Sequence, residues 1–267
     1  MIYLGTLGRM IGIKCPASLS VSSEDRFSFK TTLEGKRKAR ARPVGRREWD
    51  LQTSDATTPE QVAVLQQFAN GAWGPGPFVF VAPDAPYTNL LTPEASTCSE
   101  RNIAYVLFEQ GGPWQVSPGV WVPNSYVSAD PSNFMPLGDR YYPCIPGEDI
   151  TGSAVLLGEG SKIGLFFWDA NDELISGTYS SESGSAAMAK RLSISMKVPA
   201  NAVRCGLTAS GTSRGASPAI TWTSKVQPWS DGQGCLKAVV SASSRSLVQT
   251  GVGGTYSALS YTVTEVG

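Results

Sequence analysis

Phe27, Phe29 and Thr31 fall on one side of an alternating segment, and Arg26, Ser28 and Lys30 on the other. A period of two is the mark of a strand with one buried face. The same alternation returns at Arg47–Gln52, where Trp49 and Leu51 point one way, and near the end through Tyr261, Val263 and Glu265. Between these, residues 102–225 break into short strand-like runs separated by turn signals: 102–108, 119–122, 152–157, 163–168, 191–198, 204–208 and 219–225. Many short strands at frequent spacing predict a β-sandwich. Only 16% of the residues are charged, and 18 prolines punctuate the chain, which suits strands joined by turns better than helices.

One stretch follows the helical period instead. Val62, Leu65, Phe68 and Ala69 recur at that spacing, Ser54 or Thr57 can cap the start, and Pro59 with Glu60 suits a first turn. Asn70 and Gly71 end it. Residues 35–45 read as a basic, flexible loop without apolar periodicity, and Asp169 to Asp172 as a hairpin turn. A length of 267 residues fits two modest domains. Composition shifts near Tyr87 and again at Leu236. The expected fold is therefore mainly β, with two β-sandwich domains. The first, 1–87 plus 236–267, carries one α-helix and is completed by the C-terminal hairpin. The second, 88–235, is inserted into it.

Formal net charge is zero, which argues against a chain built as a whole for nucleic acid or an anionic membrane. The balance hides a cluster of Lys30, Lys36, Arg37, Lys38, Arg40, Arg42, Arg46 and Arg47. Histidine is absent, which removes serine–histidine and cysteine–histidine catalysis and any Cys/His zinc site. The five cysteines, Cys15, Cys98, Cys144, Cys205 and Cys235, are widely spaced and read as buried thiols. The Gly-x-Gly strings at Gly74 and Gly232 lack the strand–helix context of a phosphate loop. Asp169 and Glu173 are the only clustered carboxylates, and Asp169, Asn171 and Asp172 the only candidate calcium oxygens. Hairpin-turn acids of this kind are normally solvated, and the spacing does not match an EF-hand. The expectation is a non-enzyme with no cofactor and no metal. The first residues lack the basic start and long apolar core of a signal peptide, and no run suits a spanning helix, so no membrane role is expected.

The order of segments resembles the distal tail and minor tail proteins of siphophages. The carrying pieces are Tyr3 to Gly5, Phe27 to Gly35 followed by Arg46 to Trp49, the helical stretch ending at Gly71, Gly74 to Val81, Asn89 to Pro93, and the closing Tyr256 to Val266. They cover roughly the first third and the last tenth of the chain. The resemblance implies an N-terminal β-sandwich with one helix that forms a six-membered ring under the tail tube, and an outward second sandwich similar to a carbohydrate-binding module. The middle segment fits that pattern loosely, through Trp168 to Leu174, Val198 to Ala202 and Trp222 to Trp229. Shared fold does not imply ligand binding.

On this resemblance the implied role is structural: a tail-tip ring joining the tube to the adsorption apparatus, assembled in the host cytoplasm and carried on the virion. The implied partners are further copies of itself, the tail tube protein, tail-tip hub or fibre proteins, and a host cell-wall glycan. The alternative is an accessory tail protein whose sandwich binds host carbohydrate. Lys36, Arg37, Lys38, Arg40 and Arg42 are the candidates for a subunit or tube interface, against the readings of a solvated loop or transient nucleic-acid contact. The segment lacks interleaved aromatics, which disfavours nucleic acid. Trp114 and Trp121 flank Gly and Pro and are the candidate sugar-stacking residues, whereas Trp168 and Trp222 sit inside apolar strands and read as core.

Overall fold

The computed structural model describes residues 1–14, 16–23, 27–41, 46–54, 57–99, 108–128, 135–138, 141–251 and 254–266. In chain order its first elements are β1 (Ile2–Thr6), β2 (Arg9–Ile13), β3 (Ser18–Ser23), β4 (Phe27–Thr31), β5 (Arg37–Ala41), β6 (Arg47–Gln52), α1 (Pro59–Ala69) and β7 (Phe78–Val81). Two single-turn helices, α2 (Ala85–Thr88) and α3 (Pro93–Ser96), follow. Then come β8 (Phe108–Gly111), β9 (Trp114–Ser117), β10 (Val120–Val122), β11 (Ser125–Ser128), β12 (Met135–Pro136) and β13 (Tyr142–Pro143). Longer strands complete the series: β14 (Asp149–Leu157), β15 (Lys162–Trp168), β16 (Leu174–Tyr179), β17 (Lys190–Lys197), β18 (Arg204–Ser210), β19 (Arg214–Thr221), β20 (Cys235–Gly251) and β21 (Gly254–Glu265). The chain is mainly β, as its alternation predicts. Two compact units result. One comprises Met1–Gly5, Gly12–Phe80 and Lys237–Gly267, the other Thr6–Ile11 and Val81–Leu236.

The first unit is built on a seven-stranded sheet of order β2-β1-β7-β20-β21-β6-β3. Strand β6 alternates strictly: Arg47, Trp49 and Leu51 are buried while Glu48, Asp50 and Gln52 are exposed. It lies antiparallel between β3 and the C-terminal strand, with Trp49 opposite Val263 and Leu51 opposite Tyr261. The C-terminal hairpin thus completes this sheet. Helix α1 follows Thr58 as N-cap, with Pro59 in the first turn; the cap falls one residue after Thr57 and four after Ser54, the two expected caps. Its Val62, Leu65 and Phe68 are buried. Phe68 meets Phe78 edge-on at 5.0 Å and Trp73 face-on at 5.0 Å, and Trp49 meets Phe80 at 5.1 Å. Such aromatic pairs add to plain area burial. Arg47 binds Glu265 in a forked pair, Nη2 to Oε1 at 2.8 Å and Nε to Oε2 at 2.9 Å, with both side chains largely shielded from water. The pair ties β6 to the last strand.

The second unit is a sandwich of two five-stranded sheets. One has the order β17-β14-β19-β11-β8. The other has the order β12-β18-β15-β16, with β13 also paired to β18. Ile150, Ala154 and Leu156 from the first face Ile163, Leu165, Phe167 and Leu207 from the second, and all are buried. Gly152 leaves room for Leu207, whose Cδ1 would lie 2.3 Å from an added Cβ. Asn89 stitches the entry segment to this sandwich. Its amide donates to the carbonyls of Pro218 and Ser230, and its oxygen accepts from Leu91 and Ile220. Cys98, Cys144, Cys205 and Cys235 are buried, and Cys15 lies outside the described residues. The Cys144 thiol and complete burial hold the Cys205 thiol well above its ordinary range, which keeps it from acting as a nucleophilic thiolate. Among the described residues no helix is long and apolar enough to cross a membrane.

Candidate functional site

The β15 sequence from Lys162 to Trp168 contains an apolar run that reads as doubly buried, yet from Leu165 onward buried and half-buried residues alternate. Ile163, Leu165 and Phe167 are fully buried in the sandwich. Gly164, Phe166 and Trp168 lie on the opposite, outer face, with both aromatic rings half-buried. The neighbouring strands make room for them. Phe166 stands opposite Gly177 on β16 and Gly206 on β18, and Gly164 opposite Tyr179. A Cβ added at Gly177 would sit 2.0 Å from Cδ1 of Phe166, and one at Gly164 would sit 2.7 Å from Cε1 of Tyr179. The rings therefore lie down over bare backbone, which only glycine permits at these positions.

The outcome is a continuous aromatic row. Tyr179 and Phe166 are 5.5 Å apart between centroids, Phe166 and Trp168 6.4 Å, and Trp168 and Tyr141 5.9 Å. Phe166 and Trp168 are tilted by only 35° and form the most nearly level part of the row. Burial holds the Tyr179 hydroxyl above its ordinary range, so it stays neutral.

A polar cluster closes one end. Arg204, opposite Trp168 on β18, places its guanidinium 4.7 Å over the Tyr141 ring. Its Nε donates to the Asp169 carbonyl at 3.2 Å, its Nη2 to the Ala170 carbonyl at 3.2 Å, and its Nη1 to Asp172 Oδ1 at 3.3 Å. Tyr141 donates to Asp172 Oδ2 at 2.9 Å. The Asp169 carboxylate accepts from the backbone N–H groups of Asn171 at 2.8 Å and Glu173 at 2.9 Å. Those turn bonds, that of Glu173 foremost, and the charge of Arg204 hold its pKa below the ordinary value. Asp169 thus accepts from Asn171, whose side-chain amide also donates to it at 3.4 Å, while Asp172 accepts from Tyr141 and Arg204. Among the described residues no group of three or more acidic or cysteine side chains is arranged to hold a metal ion.

The sequence-based candidates fall elsewhere. Trp114 and Trp121 occupy a two-stranded ribbon, β9 with β10, where Trp121 stands opposite Gln115 and Trp114 opposite Val122. Trp121 is 63% exposed, but Trp114 is only 9% exposed. Arg214 covers the Trp114 ring at 5.1 Å and is itself anchored on Ser125 at 2.8 Å. Trp114 therefore offers no open stacking face, which corrects the expectation for it. Trp168, read as core, is half-buried on the outer face and belongs to the aromatic row. The glycines opposite Phe166, Gly177 and Gly206, carry this signal on other strands, whereas Gly164, opposite Tyr179, lies on β15 itself.

The basic segment is likewise more ordered than a loop. Residues Arg37–Ala41 form β5 and pair with β4, so that Thr31 meets Arg37, Lys30 meets Lys38 and Phe29 meets Ala39. This corrects the flexible-loop expectation: the turn at Gly35, with φ of +78°, lets basic residues alternate with Ala along a strand. Lys36, Arg37 and Lys38 are exposed. Arg37 lies 4.4 Å over Phe29, which stays 56% exposed, and Lys36 pairs with Glu34 at 3.5 Å in full solvent. Arg40 stands opposite Ser28 in the backbone register, and Arg42 lies outside the described residues. Leu33 at the turn is fully exposed, and the neighbouring edge strand β3 leaves Val21 55% exposed.

No protein-family model matches the chain, and no curated protein matches it. Solved structures give partial likenesses. The enzymatically active domain of tailspike protein 4 of bacteriophage CBA120 is 12% identical, with a TM-score of 0.36, over 52% of this chain and 22% of that one. A carbohydrate-binding and catalytic module pair of a Clostridium thermocellum xylanase, complexed with xylohexaose, is 16% identical, with a TM-score of 0.32, over 45% of this chain and 25% of that one. A carbohydrate-binding module of a Cellvibrio mixtus lichenase, complexed with cellotriose, is 10% identical, with a TM-score of 0.28, over 43% of this chain and 90% of that one. The chain therefore spans about a quarter or less of the first two proteins. A phage tail component and carbohydrate-binding modules are thus among its structural neighbours.

Proposed function

We propose that this chain is a structural component of a long-tailed phage tail tip, forming a six-membered ring that joins the tail tube to the host-adsorption apparatus. The observation that carries this reading is the β4–β5 ribbon. An isolated two-stranded hairpin is at best marginally stable in water. This one faces Lys30 directly with Lys38, a like-charge pair that opposes its own formation. It also exposes Phe29 and Leu33. Such an element becomes favourable when a neighbour supplies acidic groups and covers the apolar ones. Repeated around a closed ring, the contact is head-to-tail, one surface of each copy meeting a different surface of the next.

The test is the mass of the purified protein in solution, with negative-stain images, for the parent and for a variant with Lys36, Arg37, Lys38, Arg40 and Arg42 replaced by Ser. A sixfold ring that the variant loses, and that weakens with salt, is expected. Normal virion assembly with the variant would remove the interface role. On this proposal the chain works through surfaces and leaves peptidoglycan intact; release of wall fragments by the purified protein would overturn that part.

A second reading is favoured by the aromatic row on the second unit: an accessory tail protein that recognises host cell-surface carbohydrate. Its test is retention of the protein on host cell walls, with loss of retention when the second unit is removed.

A further inference from the structure

We propose that the outer face of β18, β15 and β16 binds an uncharged glycan, with sugar rings laid on Phe166 and Trp168 and hydroxyls donated to Asp172, and that the same face rejects polyanionic wall polymers. This rests on the carbohydrate reading above and specifies its ligand.

The aromatic part argues for sugar rings. Phe166 and Trp168 are side by side, tilted by 35°; Gly177 and Gly206 leave bare backbone on both sides of Phe166, and Leu174 and Arg204 flank Trp168. A pre-formed, half-buried aromatic strip suits the C–H face of a pyranose, because little side-chain ordering remains to be done on binding. The polar end argues for hydroxyl donors. Asp172 is 51% exposed, and Tyr141 and Arg204 each occupy one of its oxygens. An ionised carboxylate offers about four acceptor directions, so two remain open, already aimed and held.

The same cluster argues against anions. Arg204 is the one cation described within it, and its side chain is 15% exposed, with Nε, Nη1 and Nη2 each committed to an acceptor of the hairpin turn. Three of its five N–H donors are thereby occupied, and its shielding leaves little of the fork within reach of a phosphate or carboxylate. Asp169, Asp172 and Glu173 outnumber it in the turn. An approaching polyanion therefore meets a net negative end.

The experiment is affinity electrophoresis of the full chain through gels holding uncharged polysaccharides of glucose, galactose or rhamnose, beside gels holding carboxymethylated dextran and a polyglycerol phosphate. Retardation is expected in at least one uncharged gel and in neither anionic gel. Trp168→Ala should weaken it by about tenfold or more, the scale of losing a central aromatic anchor. Trp168→Phe should restore most of it, which separates a lost platform from a lost fold. Equal or tighter binding of the anionic polymers would overturn the inference while leaving the carbohydrate reading standing. So would binding that survives Trp168→Ala, since the site would then lie elsewhere. Failure to bind any polysaccharide or the host cell wall sinks both. Self-association that Trp168→Ala abolishes would assign the face to a second copy, covering Leu174 and Ile175, and overturn the inference as well.

Discussion

At the scale of single residues, the candidate face depends on side chains that are absent. Gly177 is exposed and on an edge strand, where a side chain would ordinarily be welcome. Its α-carbon instead carries the Phe166 ring, and a methyl group there would overlap that ring. Gly177→Ala is therefore expected to lift Phe166 from the sheet and cost about 1–3 kcal/mol, the usual range for overpacking. Denaturant unfolding measures the cost, and the glycan gels read the displaced ring. Unchanged stability together with unchanged binding would show that the ring does not lie there. The Arg47–Glu265 pair is a second case at this scale. Glu265→Ala removes both arms of the fork from a guanidinium whose side chain is only 10% exposed. A loss of about 2 kcal/mol is expected, the scale of hydrogen bonds to a charged group. A loss below about 1 kcal/mol would place the pair effectively in solvent.

Elements were legible to the extent that one strand's own residues reveal its environment. The alternation of β6, the helical spacing of α1 and the turn at Asp169 are local signals, and each corresponds to the element found. The run from Ile163 to Trp168 was misleading because an unbroken apolar strand looks buried on both faces. Its second face is set by Gly177 and Gly206, which belong to other strands. Trp114 failed for the same reason, as its cover, Arg214, is 100 residues away. Strand β5 was invisible because Lys and Arg alternating with Ala carry no apolar period. Within the Asp169 turn a pH response is expected. Folding lowers the Asp169 pKa, so its ionised form is favoured in the native hairpin. That contribution is complete above the unfolded value, near 3.8, and is lost as pH falls through the lower folded value. The amides of Asn171 and Glu173 should stay protected from exchange down to about pH 4 and lose protection in stronger acid. Asp169→Asn keeps an acceptor oxygen but does not titrate, so it should remove the acid step. An unchanged step would assign it to another group.

For the whole molecule, the chain leaves the first unit after Phe80 and returns at Lys237. The strands on either side of that excursion, β7 and β20, are hydrogen-bonded neighbours within the seven-stranded sheet. The first unit thus owes its sheet to segments from both ends of the sequence, with Trp49, Phe80, Tyr261 and Val263 in its core. The second unit has a separate core of its own. Two cores in one chain make a specific demand on unfolding. Replacing residues 82–234 with a short Gly/Ser linker should leave a first unit that still folds, because closing a loop costs little more when its length changes severalfold. The shortened protein is expected to show a single cooperative unfolding transition and to retain whatever self-association the parent has. Loss of assembly with folding intact would move the subunit contacts to the second unit and remove the ribbon's proposed role. Failure to fold would show that the first unit's sheet depends on the inserted domain, and the two-core account would fall with it. Glu265→Ala in the shortened protein should then unfold it at lower denaturant by the same increment as in the parent, since the pair lies wholly within the retained unit.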